Sequence, residues 1–96
     1  MNYEIKKRCV VNIISFYQNV AKKYKHTYSL ELMRNNITEA YDAMYTIEKF
    51  LPRRKPTIDR WQGYHMAHAG HWYYAYTIKG DMITIEDACH EQNMHN

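Results

Sequence analysis

Little in this chain of 96 residues could bend or cross-link it: three glycines, two prolines and two cysteines. Two cysteines, Cys9 and Cys89, cannot make the disulfide framework of a small secreted scaffold. With no secretory leader pattern at the N-terminus, they read as reduced thiols in a cytoplasmic protein. Long hydrophobic runs are missing too, and none approaches the roughly 20 residues that cross a bilayer. There is no internal repeat and no low-complexity segment. What is abundant is aromatic: 15% of the chain, with ten tyrosines, which argues against disorder. The length suits a single compact domain over residues 1–96.

The net charge of +3 is unevenly spread. Up to Arg34, seven Lys and Arg face two acids, Glu4 and Glu31; from Asn35 onward six face eight. The basic character therefore belongs to the first third, where it fits an acidic or nucleic-acid partner or simply solvated helix faces.

Hydrophobic period divides the chain. Tyr3-Glu4-Ile5-Lys6 alternates like a short strand. Val10, Ile13, Ile14, Tyr17, Val20, Ala21 and Tyr24 then recur at steps of three and four, with Asn12, Asn19, Lys22 and Lys23 on the other side. After a break with Thr27 or Ser29 as cap, Leu30, Met33, Ile37, Ala40, Tyr41, Met44, Ile47 and Leu51 form a second stripe, stopped by Pro52. So short a break predicts an antiparallel helical hairpin. Beyond the basic linker Arg53-Arg54-Lys55-Pro56, the segments Tyr64 to Ala69, Trp72 to Ile78 and Met82 to Cys89 are separated by Gly70 and Lys79-Gly80-Asp81. They predict a three-stranded antiparallel meander. The whole is an α+β domain with helices on one sheet face and the other face bare.

Alternation along a strand sorts the side chains between those faces. Trp72, Tyr74, Tyr76 and Ile78 are expected to meet the helices, together with Ile83, Ile85 and Cys89; Asp87 is an awkward member of that set. Tyr73, Ala75, Thr77, Thr84, Glu86, Ala88 and His90 are then expected on the bare face, with His65 and Ala67.

The strand "YEIKK", the helical hairpin and the closing stretch "GHWYYAYTIKGDMITIEDACH" resemble the RelE/ParE superfamily of type II toxin–antitoxin toxins. Trp72, Tyr76, Ile78, Gly80-Asp81, Ile83, Ile85 and His90 occupy places that family members fill with a tyrosine-rich strand, an acidic or glycine turn and a β-branched strand ending near His or Tyr. The element order matches over nearly the whole chain, and the specific part covers about 25 residues. The resemblance implies a bacterial growth-inhibiting toxin held by a cognate antitoxin. Many relatives cut mRNA, often on the ribosome, the first expectation here; ParE-type relatives inhibit DNA gyrase and cleave nothing, and a catalytically degenerate member would serve only as a binding module.

Metal-independent RNA cleavage needs proton-transfer groups and cations that stabilise the charge building on phosphate. His90 stands where the family's nucleases keep a functional His or Tyr, and histidine titrates near neutrality. The expected constellation is His90 as acid or base, Glu86 and His65 as proton or orienting partners, and Tyr73 as a substrate contact. Arg53, Arg54, Lys55 and Arg60 are the phosphate-gripping candidates. No cofactor and no metal are expected. A zinc site from His65, His68, His71, His90 and Cys89 is the rival reading, but His65 and His68 point to opposite faces of a strand. Two departures count against efficient cleavage. His65 replaces a cation common in nuclease relatives, and Ala67, Ala75 and Thr77 add no charge.

Overall fold

The computed structural model describes residues 2–49 and 54–96. Strand β1 (Asn2–Ile5) leads into helix α1 (Lys7–Lys23) and helix α2 (Leu30–Ala43). Ser29 caps α2, its hydroxyl accepting the Leu32 N–H at 3.0 Å, one of the two caps expected from the sequence. The second stripe does not stay α-helical to its end. From Met44 to Lys49 the backbone tightens into a 3-10 helix, where the Thr46 hydroxyl donates to the Ala43 carbonyl at 2.7 Å. A threonine that bonds three residues back competes with the regular ladder. The expected stop at Pro52, with Phe50 and Leu51, lies outside the described residues, as does Arg53.

Strands β2 (His65–Ala69), β3 (Trp72–Lys79) and β4 (Met82–His90) pair antiparallel in chain order, and β1 adds to β4 in parallel. The result is one four-stranded mixed sheet of order β1-β4-β3-β2, not a three-stranded unit with a detached N-terminal strand. Both hairpin turns have two residues and open on a glycine with positive φ, Gly70 at 61° and Gly80 at 59°. That is the backbone sign pattern which lets a tight turn follow the strands' own twist.

Helices α1 and α2 cover one sheet face. Cys9, Ile13, Tyr17, Ala40 and Met44 pack there with Trp72, Tyr74, Tyr76, Ile83 and Ile85. Two buried polar tips are satisfied across this layer: the Trp72 indole donates to the Tyr17 hydroxyl at 2.9 Å, and the Tyr74 hydroxyl donates to the Ala40 carbonyl at 2.7 Å.

The other face is not bare. Residues 54–64 run along and over it, tied to the free side of β2 by an Arg54–Met66 bridge. The 3-10 turn Asp59–Trp61 presses Ile58 and Trp61 onto Met66, Ala75 and Cys89, with Tyr64, Tyr73 and Met94 at the margin. Trp61 is 1% exposed. A Trp that deeply buried makes the segment a second, small core rather than a linker. Among the described residues, no helix is long and apolar enough to cross a membrane.

Candidate functional site

One unpaired residue decides where the site lies. Opposite β3, Tyr76 pairs with Ile85 and Ala75 pairs with Asp87, which leaves Glu86 as an extra residue in β4. A β-bulge of this kind inverts the alternation beyond it. Ile83 and Ile85 face the helices as expected, but Ala88 joins the same helix-side core and His90 stacks on Phe16 of α1. Cys89 turns to the opposite face, under Trp61.

The expected constellation of His90, Glu86, His65 and Tyr73 is therefore not assembled. His90 sits on the helix side, 9% exposed, its ring 3.9 Å from that of Phe16 and nearly parallel to it. His65 also lies on the helix side, because it pairs with Tyr76 and their rings meet at 5.4 Å. Glu86 stays on the outer face, accepting from the Thr77 hydroxyl at 3.1 Å. Tyr73 is on that face too, but stacked on His68 at 4.1 Å beside the cover. Among the described residues the buried His68 Nε2 has no partner there. Of the phosphate-gripping candidates, Arg54 and Lys55 are exposed along a shallow hollow of about 530 Å³ shared with Tyr64 and His65. Arg60 belongs to a different cleft, at the other end of the cover.

That second cleft, about 320 Å³, opens between α1 and the end of β4. Its floor is Phe16, Trp72, Ala88 and His90; its rim carries Asn12, Ser15, Asn19, Arg60 and Asn93. A neighbouring hollow of about 410 Å³ shares Phe16, Asn19, His90 and Asn93 and adds Lys23 and Tyr24. Together they form a groove with a cation at each end and an aromatic floor between. Asn12, Ser15 and Asn19 reach it because steps of three and four put them on one side of α1. That stripe was visible in the sequence, but nothing distinguished it from an ordinary solvated helix face.

The groove is built around Asp87. Its Oδ1 accepts from the Asn12 amide and the Ala88 N–H, both at 2.9 Å, and its Oδ2 accepts from the Trp61 indole at 2.9 Å. Helix, bulge and cover thus meet on one carboxylate. Nearby, Arg60 Nη2 donates to the Cys89 sulfur at 3.1 Å, while burial pushes the Cys89 thiol above its ordinary pKa. Cys9, fully buried, is pushed up to about 12 by the same cause, so both thiols are protonated and unreactive at neutral pH.

The state of His90 follows from its contacts. The Gln92 N–H donates to Nδ1 at 3.2 Å, so the neutral ring carries its hydrogen on Nε2. Among the described residues Nε2 has no partner. Burial holds the ring's pKa below the ordinary value; Glu91 pulls the other way and His71 adds to the depression. A neutral imidazole with Nε2–H free is a hydrogen-bond donor at neutral pH, not a proton acceptor. For the rival zinc reading, among the described residues no group of three or more His, Cys, Asp or Glu side chains converges well enough to hold a metal.

Comparisons with protein-family models, with curated proteins and with solved structures each found no match.

Proposed function

We propose that the protein is a growth-inhibiting toxin of the RelE/ParE kind that acts on mRNA as a metal-independent endoribonuclease, from the groove between α1 and β4. One observation carries this reading: the Nε2–H of His90 over Phe16, free among the described residues, in a groove whose rim bears the Arg60 guanidinium and the amides of Asn19 and Asn93. An aromatic floor can stack a base, and an imidazole N–H and a guanidinium are donors suited to phosphoryl oxygens. The fold resemblance stated for the sequence supplies the reaction class and the cognate antitoxin. Leu30, Leu32 and Tyr41 on α2, with Tyr45 beyond it, are large apolar side chains left exposed for such a partner. The second reading is a ParE-like inhibitor that binds DNA gyrase and cleaves nothing. It is favoured by the shortage of fixed charge among the described residues: Arg54 and Lys55 lie in another hollow, and of the described residues Arg60 and Lys23 are the groove's permanent cations.

Tightly controlled expression followed by RNA extraction separates the two. The ribonuclease reading expects growth arrest with mRNA cut inside codons, and loss of both with Arg60→Ala in a chain that still folds. Arrest with intact mRNA and DNA-damage signalling overturns it in favour of the second.

A further inference from the structure

The groove has a donor in His90, and its own carboxylate, Asp87, is taken up by three donors; a further imidazole, His71, lies outside the lining but next to His90. His71 occupies the second position of the β2–β3 turn, and its ring centre is 6.1 Å from that of His90, inclined by 21°. Glu91, the residue after β4, takes hold of it twice. Its backbone N–H donates to the His71 carbonyl at 2.8 Å, and its carboxylate oxygens lie 3.2 and 3.4 Å from His71 Nδ1. A carboxylate can only accept, so Nδ1 carries the hydrogen and the neutral ring presents its lone pair at Nε2. The two imidazoles are thus fixed in opposite tautomers by their own neighbours: His90 by a backbone N–H, His71 by a carboxylate. A hydrogen-bonded carboxylate behind an imidazole orients it for proton abstraction.

We propose that His71 is the general base of the groove, held by Glu91, with His90 donating from Nε2 to a phosphoryl oxygen of the same substrate. This rests on the ribonuclease reading and names the residue that starts the reaction. His71 Nε2 takes the proton of the 2′-hydroxyl, and the 2′-oxygen forms a bond to phosphorus as the bond from phosphorus to the 5′-oxygen breaks. The departing 5′-oxygen takes a proton from water, and His71 returns its own to water. The products are a 2′,3′-cyclic phosphate and a free 5′-hydroxyl, with no change of oxidation state. The charged and titratable groups around the pair are Glu91, Asp87, Arg60, Lys23, Cys89, Tyr17 and Tyr24. His71 is largely exposed, its side chain 75% accessible, so its replacement leaves the packed layers untouched.

The test uses the purified full chain and a single-stranded RNA oligonucleotide, followed by rate against pH. The wild type is expected to gain rate as pH rises and then level off. His71→Gln is expected to lose on the order of a hundredfold or more near neutrality, the usual share of a general base. Its remaining rate is expected to climb in proportion to hydroxide, and added imidazole is expected to restore His71→Ala but not His90→Ala. Glu91→Gln, which removes a positioning residue, is expected to lower kcat with KM unchanged. If the wild type cleaves and His71→Gln keeps its rate and its pH profile, this assignment is overturned while the ribonuclease reading stands. If the wild type leaves the RNA intact both free and bound to ribosomes, the reading itself fails and the assignment with it.

Discussion

Before Glu86, β4 turns Ile83 and Ile85 toward the helices and Thr84 away from them; after it, Ala88 and His90 face the helices, and Cys89 faces the cover. The first half behaves as half of an ordinary two-layer domain. The second half is gripped on both sides, by α1 through Phe16 and Asn12 and by the 54–64 segment through Trp61. The difference teaches that one residue without a ladder partner can carry a histidine from one face of a sheet to the other. It also shows why Asp87 is tolerated. At the bulge its carboxylate is reached by three donors instead of being sunk among the isoleucines.

The sharpest way to break the comparison is to remove the grip on the second half alone. Trp61→Ala is expected to cost about 3–5 kcal/mol, the usual range for emptying a buried Trp site, read as a fall in the urea midpoint. A cost near zero would mean that residues 54–64 are a loose flap and the outer face is open after all. Asp87→Ala comes next, at roughly 1–3 kcal/mol, because it strands the Trp61 indole, whereas the Asn12 amide keeps its bond to the Ala88 carbonyl at 3.2 Å.

Deleting Glu86 sharpens the comparison differently. Without the extra residue the ladder becomes regular, yet Ala88 and His90 still alternate in phase with Ile85. The shortened chain is therefore expected to fold with a loss of only about 1 kcal/mol, a small fraction of typical domain stability. Failure to fold would show that the local bend, and not only the facing, is needed. The smallest effect is that of pH. The pKa of His90 is depressed in the folded state, so the unfolded chain binds more protons at mildly acidic pH. Its contribution is fully present above the ordinary imidazole value, near 6.5, and is lost as pH falls below that through the folded pKa. Thermal unfolding at pH 7.5 and 5.5 is expected to show a larger gap for the wild type than for His90→Gln.

The elements were legible because period is a strong signal: the Ile13–Tyr17–Val20 stripe, the Ser29 cap and the two glycine turns all follow from residue type and spacing. The inward set of β3, from Trp72 to Ile78, was legible for the same reason. The parallel pairing of β1 with β4 was not, because four alternating residues do not encode their neighbour. Nor was the cover, whose Ile58 and Trp61 are too sparse to show a period. The inversion left one trace in the sequence, the charged Asp87 at a position that simple alternation assigns to the core. A carboxylate at an inward position marks a register change as readily as an awkward exception, and only the donors around it tell the two apart. His71 entered only as a ligand of the rival zinc reading and Glu91 not at all, because a turn residue and the residue after a strand carry no period.

The facing of His90 underlies both the groove and the chemistry assigned to it, and proton–proton contacts in solution measure it directly. Nuclear Overhauser contacts from the His90 ring to Phe16 and Trp72, with none to Thr77 or Glu86, are the expected result. Contacts to Thr77 or Glu86 in their place would put the imidazole on the outer face and contradict the account.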